Sequence, residues 1–372
     1  MTAGREIAGF AVPFAVGVAL SATLPSSPYH PHPHATISIL LAAVAIFMIL
    51  LLRSPKTEYS DTFLWFVIII SAMCCGALCP MISDWLAISH PSGDNRMLTH
   101  MDAFGAGLRE SIASLPFKND RTNALMNSLI TGNRSDLDHH TKETFRQSGA
   151  SHILALSGMH LGIIYGILKS VLIPLGNSRR VKILKSWLIL SACLSYAVMT
   201  GAGPSIVRAF LFIMSYEIAG MTGRSCKIGE VLMTSLVIQL TLCPEDIREV
   251  GFQLSYAAMA GIAFIYPTLN RMWPADSKGI MQKGLRWIWS SASMSIACQL
   301  TTGPIAFAYF GTFPRYFILT NLMAAPLVGF IIPWSLTVLL LSSAGFCPQF
   351  LITGLESTIQ LLIRILENIS SL

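Results

Sequence analysis

The sequence predicts an all-α polytopic membrane protein, with about ten to eleven transmembrane helices and one longer extracytoplasmic segment. Three observations predict it. Of 372 residues, 53% are hydrophobic and only 12% charged, and the mean hydropathy is +0.60. A soluble domain carries about 25% charged residues, so a soluble chain of this length could not cover its surface with so few charges. Apolar runs long enough to cross about 30 Å of hydrocarbon recur from end to end. Finally, Lys and Arg alternate between loops in the way that orients membrane proteins.

Eleven candidate spans follow in order, near 7–24, 36–52, 62–82, 150–174, 183–200, 204–220, 228–243, 250–268, 286–310, 316–341 and 349–370. The first follows Arg5 but is long and lacks an A-x-A site, so it reads as a retained signal anchor. The last is interrupted by Glu356, Arg364 and Glu367 and reads alternatively as an amphipathic helix at the interface. With the N-terminus cytoplasmic, the inside loops hold thirteen Lys and Arg, and the short outside loops hold only Arg248 and Arg315. The long segment 83–149 falls outside, nearly neutral with seven basic and eight acidic residues. Long segments translocate largely regardless of charge. Within it, Met101–Leu115 and Arg121–Ile130 have helical patterning. The second places Ala124, Leu125, Leu129 and Ile130 on one apolar side, and TGNRSDLD follows as a turn. This predicts a small helical cap on the bundle. The organisation expected is therefore a three-span region at 1–82, an extracytoplasmic loop at 83–149, a channel-type region at 150–345 and a C-terminal apolar or interfacial helix at 346–372.

The most distinctive stretch is FRQSGASHILALSGMHLGIIYGILKS at 145–170. It sets His152, Ser157 and His160 in an apolar helix, where polar side chains are costly and face a bundle interior or a hydrated path. The same groups read equally as hydrogen-bonded core residues. Gly158, Gly162 and Gly166 recur every fourth residue, the spacing that lets another helix approach closely. Arg208 lies just inside the sixth span, offering a guanidinium to a passing phosphate or to neighbouring helix ends. Glu217, nine residues on and about 13.5 Å further along the axis, is expected to be solvated rather than its partner. Gly251, Gln253 and Ser255 open the eighth span. Gln299 and Pro304 place a polar group beside a helix breaker in the ninth, which predicts a broken helix next to a cavity. Pro326 and Pro333 predict a second kinked helix.

HILALSGMHLG resembles the signature of the ComEC family of competence proteins. The resemblance continues with LPFKNDRTNALMNSLITGNRSDL upstream, and with TGAGPSIVRAFLF, CPEDIREVGFQLSYAAMAGI and QLTTGPIAFAYFGTFPRYFILTNLMAAPLVG downstream, in the family's order. It implies a channel in the bacterial cytoplasmic membrane that passes single-stranded DNA inward during natural transformation. On that reading His152, Ser157, His160, Arg208, Gln253, Ser255 and Gln299 line the path, and Gly158, Gly162, Gly166, Gly251 and Pro304 pack the helices. The partners implied are single-stranded DNA, membrane lipids, and a motor, a DNA receptor and a nuclease on other chains. A homo-oligomer stays open. The family's OB-like domain does not fit in 83–149, and no metallo-β-lactamase-like tail follows Leu372, so the chain resembles the channel part alone.

No nucleophile elbow, Walker, H-E-x-x-H or kinase pattern is present, and no enzyme activity is expected. Ser157 and His160 stand three apart, but no third member or oxyanion site accompanies them. The alternating His30, His32 and His34 are separated by prolines that splay them, and no metal or cofactor is expected. The cysteines sit mostly in apolar runs as small buried hydrophobes. The outer loops supply no basic groove, so the DNA reading comes from the resemblance. A small-solute or lipid-associated transporter on the same fold is the alternative, and a structural membrane subunit a third.

Overall fold

The structure is a computed structural model that describes residues 2–23, 69–70, 72–73, 75–77, 79, 96–176, 178–223, 227–273, 279–311 and 316–371. Among the described residues all regular structure is helical. The chain divides into two units, residues 1–95 with 225–256, and residues 96–224 with 257–372.

In the first unit, α1 (Thr2–Thr23) packs against α9 (Ile228–Leu242). Phe14, Val18, Ala72, Leu240 and Phe252 form its core. Pro244–Arg248 makes a 3-10 turn, and α10 (Val250–Arg271) begins in this unit.

In the second unit the chain runs through α2 (Arg96–Ala113), α3 (Asp120–Thr131), α4 (His139–Gln147), the single turn α5 (Ser151–Leu154) and α6 (Gly158–Val171). It continues as α7 (Arg179–Met199) and α8 (Pro204–Thr222), and after the first unit's insertion as α11 (Ile280–Phe310), α12 (Phe317–Ser343) and α13 (Gln349–Ser370). Among the described residues five helices are long and apolar enough to cross a membrane: α7, α8, α10, α12 and α13. Shorter apolar helices occupy Gly9–Ser21, α6 and α9. Of the expected spans, 36–52 lies outside the described residues, 62–82 is described only in part, and 286–310 forms α11 without being among the helices long and apolar enough to cross, so the expected ten to eleven are not reached among the described residues.

Several expectations change. The span at 150–174 is broken: Ala155 is extended, and Ser157 (φ −115°, ψ 169°) restarts the helix as an N-cap. By contrast α11 runs through Pro304, where a break was expected, and α12 runs through Pro326 and Pro333 as one helix. Neighbouring side chains and local adjustment re-satisfy the carbonyl that a proline frees in an apolar setting. Instead, α10 carries a π-turn at Gly261–Ile265. There a Cβ on Gly261 would collide with the carbonyl oxygen of Ala297, so glycine permits the close approach of α10 to α11.

The helix at 120–131 is also more than a cap with one apolar face. Besides Ala124, Leu125, Leu129 and Ile130, it buries Thr122, Met126, Asn127, Ser128 and Thr131. It is enclosed by α2, α12 and α13 and shares one core with Phe145, Ile153, Ile331, Leu355, Ile359 and Leu362. Its polar groups are tied inward. Asn127 donates to Asp136 at 3.1 Å, and Thr131 donates to the Asn127 backbone carbonyl at 2.9 Å. Gly132 (φ 78°) closes it in the left-handed conformation that favours glycine. At its other end Glu356, on α13, accepts from the backbone N–H of Lys118 at 3.0 Å and of Asn119 at 3.1 Å. A buried carboxylate thus meets the positive end of the α3 dipole. The Tyr196 hydroxyl donates to the Ile130 carbonyl at 2.8 Å and fixes the far end to α7. The α12 end near Thr320 is held in turn, its hydroxyl donating to the Ser148 carbonyl at 2.6 Å.

Candidate functional site

The break in the signature segment creates the site. Ser157 cannot be satisfied from the preceding turn, and its hydroxyl accepts from the Met159 N–H at 3.3 Å. Its own N–H donates to Nδ1 of His160 at 3.2 Å, which completes a capping box with histidine in the place usually taken by glutamate or glutamine. Nδ1 is therefore an acceptor, and in the neutral imidazole the proton sits on Nε2. That nitrogen is buried, in a residue only 1% exposed, and has no hydrogen-bond partner among the described residues.

Arg208, one turn into α8, is buried beside the same break. A Cβ on Gly158 would stand 3.2 Å from Nη2 of Arg208 and 3.2 Å from Cβ of Ala209, tighter than ordinary van der Waals contact. Glycine at 158 thus leaves room for the guanidinium against the start of α6. Gly158 and Arg208 approach closely, next to the Ser157–His160 capping box.

The other expected site residues each have their own local surroundings. His152 lies on α5, before the break; it is exposed, with Nδ1 3.2 Å from the Gly149 carbonyl. Around Gly162 and Gly166 a Cβ would meet nothing within 4 Å, so these two glycines seat no neighbouring helix among the described residues. Gly251 is likewise exposed in open space. Gln253 belongs to the first unit, where its amide donates to the Ile247 carbonyl at 2.9 Å and closes the 3-10 turn. Ser255 lies half-buried on the same helix. Gln299, in the second unit, lines an apolar groove of about 440 Å³ with Ile296, Leu300, Gly303, Pro304 and Phe307. His30, His32 and His34 lie outside the described residues. Among the described residues no group of three or more His, Cys, Asp and Glu is placed to hold a metal ion.

Two carboxylates that sequence reasoning set aside prove to be buried. Glu217 is 9% exposed rather than solvated. It accepts from the Tyr165 hydroxyl at 2.8 Å and from the Ser186 hydroxyl, and Lys169 lies 3.9 Å away. The i, i+4 spacing of Tyr165 and Lys169, opposite an acid in an apolar span, was the available signal. Glu356 gave no such signal, because its partners are backbone groups 237 and 238 residues away.

The long apolar helices, with polar and ionisable groups buried between them, define a helical membrane protein. The comparisons then name its family. Residues 129–372 match the family described as Competence protein, and the chain belongs to it. It is similar to ComE operon protein 3 of Bacillus subtilis (strain 168), 26% identical over 248 residues, which are 66% of this chain and 30% of that one. It is also similar to the uncharacterized protein YcaI of Escherichia coli (strain K12), 26% identical over 239 residues, 63% of this chain and 31% of that one. The match thus spans under a third of each relative's length. No solved structure matches the chain. The ComEC-type resemblance drawn from the motifs holds.

Proposed function

We propose that this chain forms the cytoplasmic-membrane channel through which single-stranded DNA enters during natural transformation, with its N-terminus cytoplasmic. One observation carries the reading: the family signature folds into a broken helix whose restart buries the Nε2–H of His160, with the Arg208 guanidinium packed against Gly158 at the same restart. Broken backbone at membrane depth persists only where protein or a water-filled path satisfies it. A guanidinium and an imidazole N–H together offer donors to a phosphate diester without reading bases. Transport would therefore be sequence-independent. The chain itself is proposed to perform no chemistry, so strand separation, pulling and degradation fall to a receptor, a motor and a nuclease on other chains.

The test pairs Arg208→Gln with His160→Leu in a competent strain, scoring transformation and the amount of folded protein together. The reading expects transformation to fall at least tenfold at unchanged protein level. Normal transformation, or loss in strict proportion to protein level, contradicts a direct role for the two residues.

A second reading has one observation in its favour. The groove at Gln299 is apolar and suits an acyl chain better than a nucleotide, as a lipid-associated transporter would require.

A further inference from the structure

At the opposite end of the α7–α8 hairpin from the signature break, three helix faces enclose a cavity of about 330 Å³. Helix α6 contributes Lys169, Leu172 and, just beyond its end, Ile173. From α7 come Lys182, Lys185, Ser186 and Ile189, on one face at i, i+3, i+4 and i+7, and from α8 come Glu217 and Gly220. The single acid is already satisfied by Tyr165, Ser186 and Lys169. Lys185 donates to the Gly176 carbonyl at 2.6 Å, which holds its ammonium at the rim. Glu217 lines the same cavity, but neither Lys182 nor Lys185 comes within 4 Å of a carboxylate among the described residues, and three lysines against one acid leave an excess of positive charge. Its buried lining sets Ile189 beside Ser186 and the hydrogen-bonded Glu217, while Ile173 and Tyr216 give it an exposed apolar edge. Gly220 leaves the space open, since a Cβ there would meet nothing within 4 Å.

A basic rim beside an exposed apolar edge, at the terminus of helices long enough to cross a bilayer, matches a phosphate headgroup with attached acyl chains. We propose that this cavity is a binding site for an anionic phospholipid, with the phosphate between Lys182 and Lys185 and the acyl chains along the exposed apolar residues. The site needs only that α7 and α8 lie in a membrane, and it is independent of the DNA reading.

The test uses the purified full chain in detergent, titrated with dioleoylphosphatidylglycerol or dioleoylphosphatidylcholine and read by native mass spectrometry. Parallel arms use inorganic phosphate and a single-stranded oligonucleotide. Wild type is expected to prefer the anionic lipid about 30-fold, the factor that two lysines supply near an anionic headgroup. In Lys182→Gln/Lys185→Gln, and in Gly220→Leu, which fills the cavity and keeps every charge, the preference should fall below about 3-fold. Arg179→Gln/Arg180→Gln removes as much charge beside the cavity and should leave the preference intact. Inorganic phosphate that displaces the lipid at matched concentration would assign the site to free phosphate and overturn the lipid proposal. So would an oligonucleotide that displaces it, or a preference that follows net charge in all the variants. Each variant is checked for helix content and monodisperse elution, and the paired lysine and arginine variants decide the matter even where Gly220→Leu does not fold. Transformation is not the readout, so failure here leaves the channel reading standing, and the reverse also holds.

Discussion

Glu356→Ala should loosen the second unit more than any other single carboxylate removal in its helical core. The carboxylate is 5% exposed, and one oxygen accepts both the Lys118 and the Asn119 N–H, at 3.0 and 3.1 Å. Hydrogen bonds to a charged group contribute about 1.5–3 kcal/mol each. Because one oxygen serves both donors, we take about 3 kcal/mol for the pair rather than the full sum. Alanine also removes a buried negative charge from the start of α3, leaving Asp120 as the acid in its first turn. At about 2–4 °C per kcal/mol, the melting temperature in detergent should drop by about 6–12 °C. Glu356→Gln keeps a neutral acceptor and should lose about 1 kcal/mol. Glu367→Ala is the control, since that side chain is 36% exposed and pairs only loosely, 3.9 Å from Arg121 and 4.0 Å from His140. An exposed pair of this kind contributes about 1 kcal/mol at most. Differential scanning fluorimetry of the three variants decides. A Glu356→Ala drop no larger than that of Glu367→Ala would refute the view that α13 clamps the α2–α3 connection from inside the core.

Further outcomes follow from the same geometry. Ser157→Ala removes the α6 cap and should cost about 1 kcal/mol, read as a lower melting temperature than that of Ser170→Ala, whose hydroxyl only returns to the carbonyl four residues back. Gly158→Leu must displace the guanidinium of Arg208 or the Ala209 side chain and should cost about 1–3 kcal/mol as overpacking; Gly162→Leu, in open space, should be tolerated, and equal effects would remove the close contact at 158. Burial raises the Asp246 carboxyl above its ordinary value, with Glu249 adding to the rise and the Gln239 hydrogen bond opposing it. The folded state therefore holds that proton more tightly than the unfolded chain, so its contribution to stability grows as pH falls through the raised folded value and is lost as pH rises. The melting temperature of wild type minus that of Asp246→Asn should rise as pH is lowered from 7 toward about 4. A flat difference would contradict the direction of the shift.

What the sequence disclosed, and what it hid, divides along local and non-local lines. The apolar runs behind α7, α8, α10, α12 and α13 are contiguous, and each was visible as a span. The break at Ala155–Ser157 was not, because hydrophobicity runs through it unchanged. Its one local trace is a serine three residues ahead of His160, a capping box with an uncommon third residue. Pro304 misled in the other direction: it signals a break in water, whereas α11 carries it through. The enclosure of α3 and the burial of Glu217 and Glu356 depend on partners dozens to hundreds of residues away, which periodicity cannot report. Around the break, Ser157, Gly158 and His160 stand in one contiguous motif, which is why the sequence draws attention to them. Gln253 and Gln299 were read from polarity alone, and each has a local environment that motif order does not encode.

The measurement that bears most directly on the channel reading is natural transformation frequency in a clean deletion of this gene in a competent strain, with labelled DNA reaching the cytoplasm scored separately. The account predicts that both are lost and that both return when the gene is restored. Unchanged transformation and unchanged cytoplasmic DNA in the deletion would contradict it.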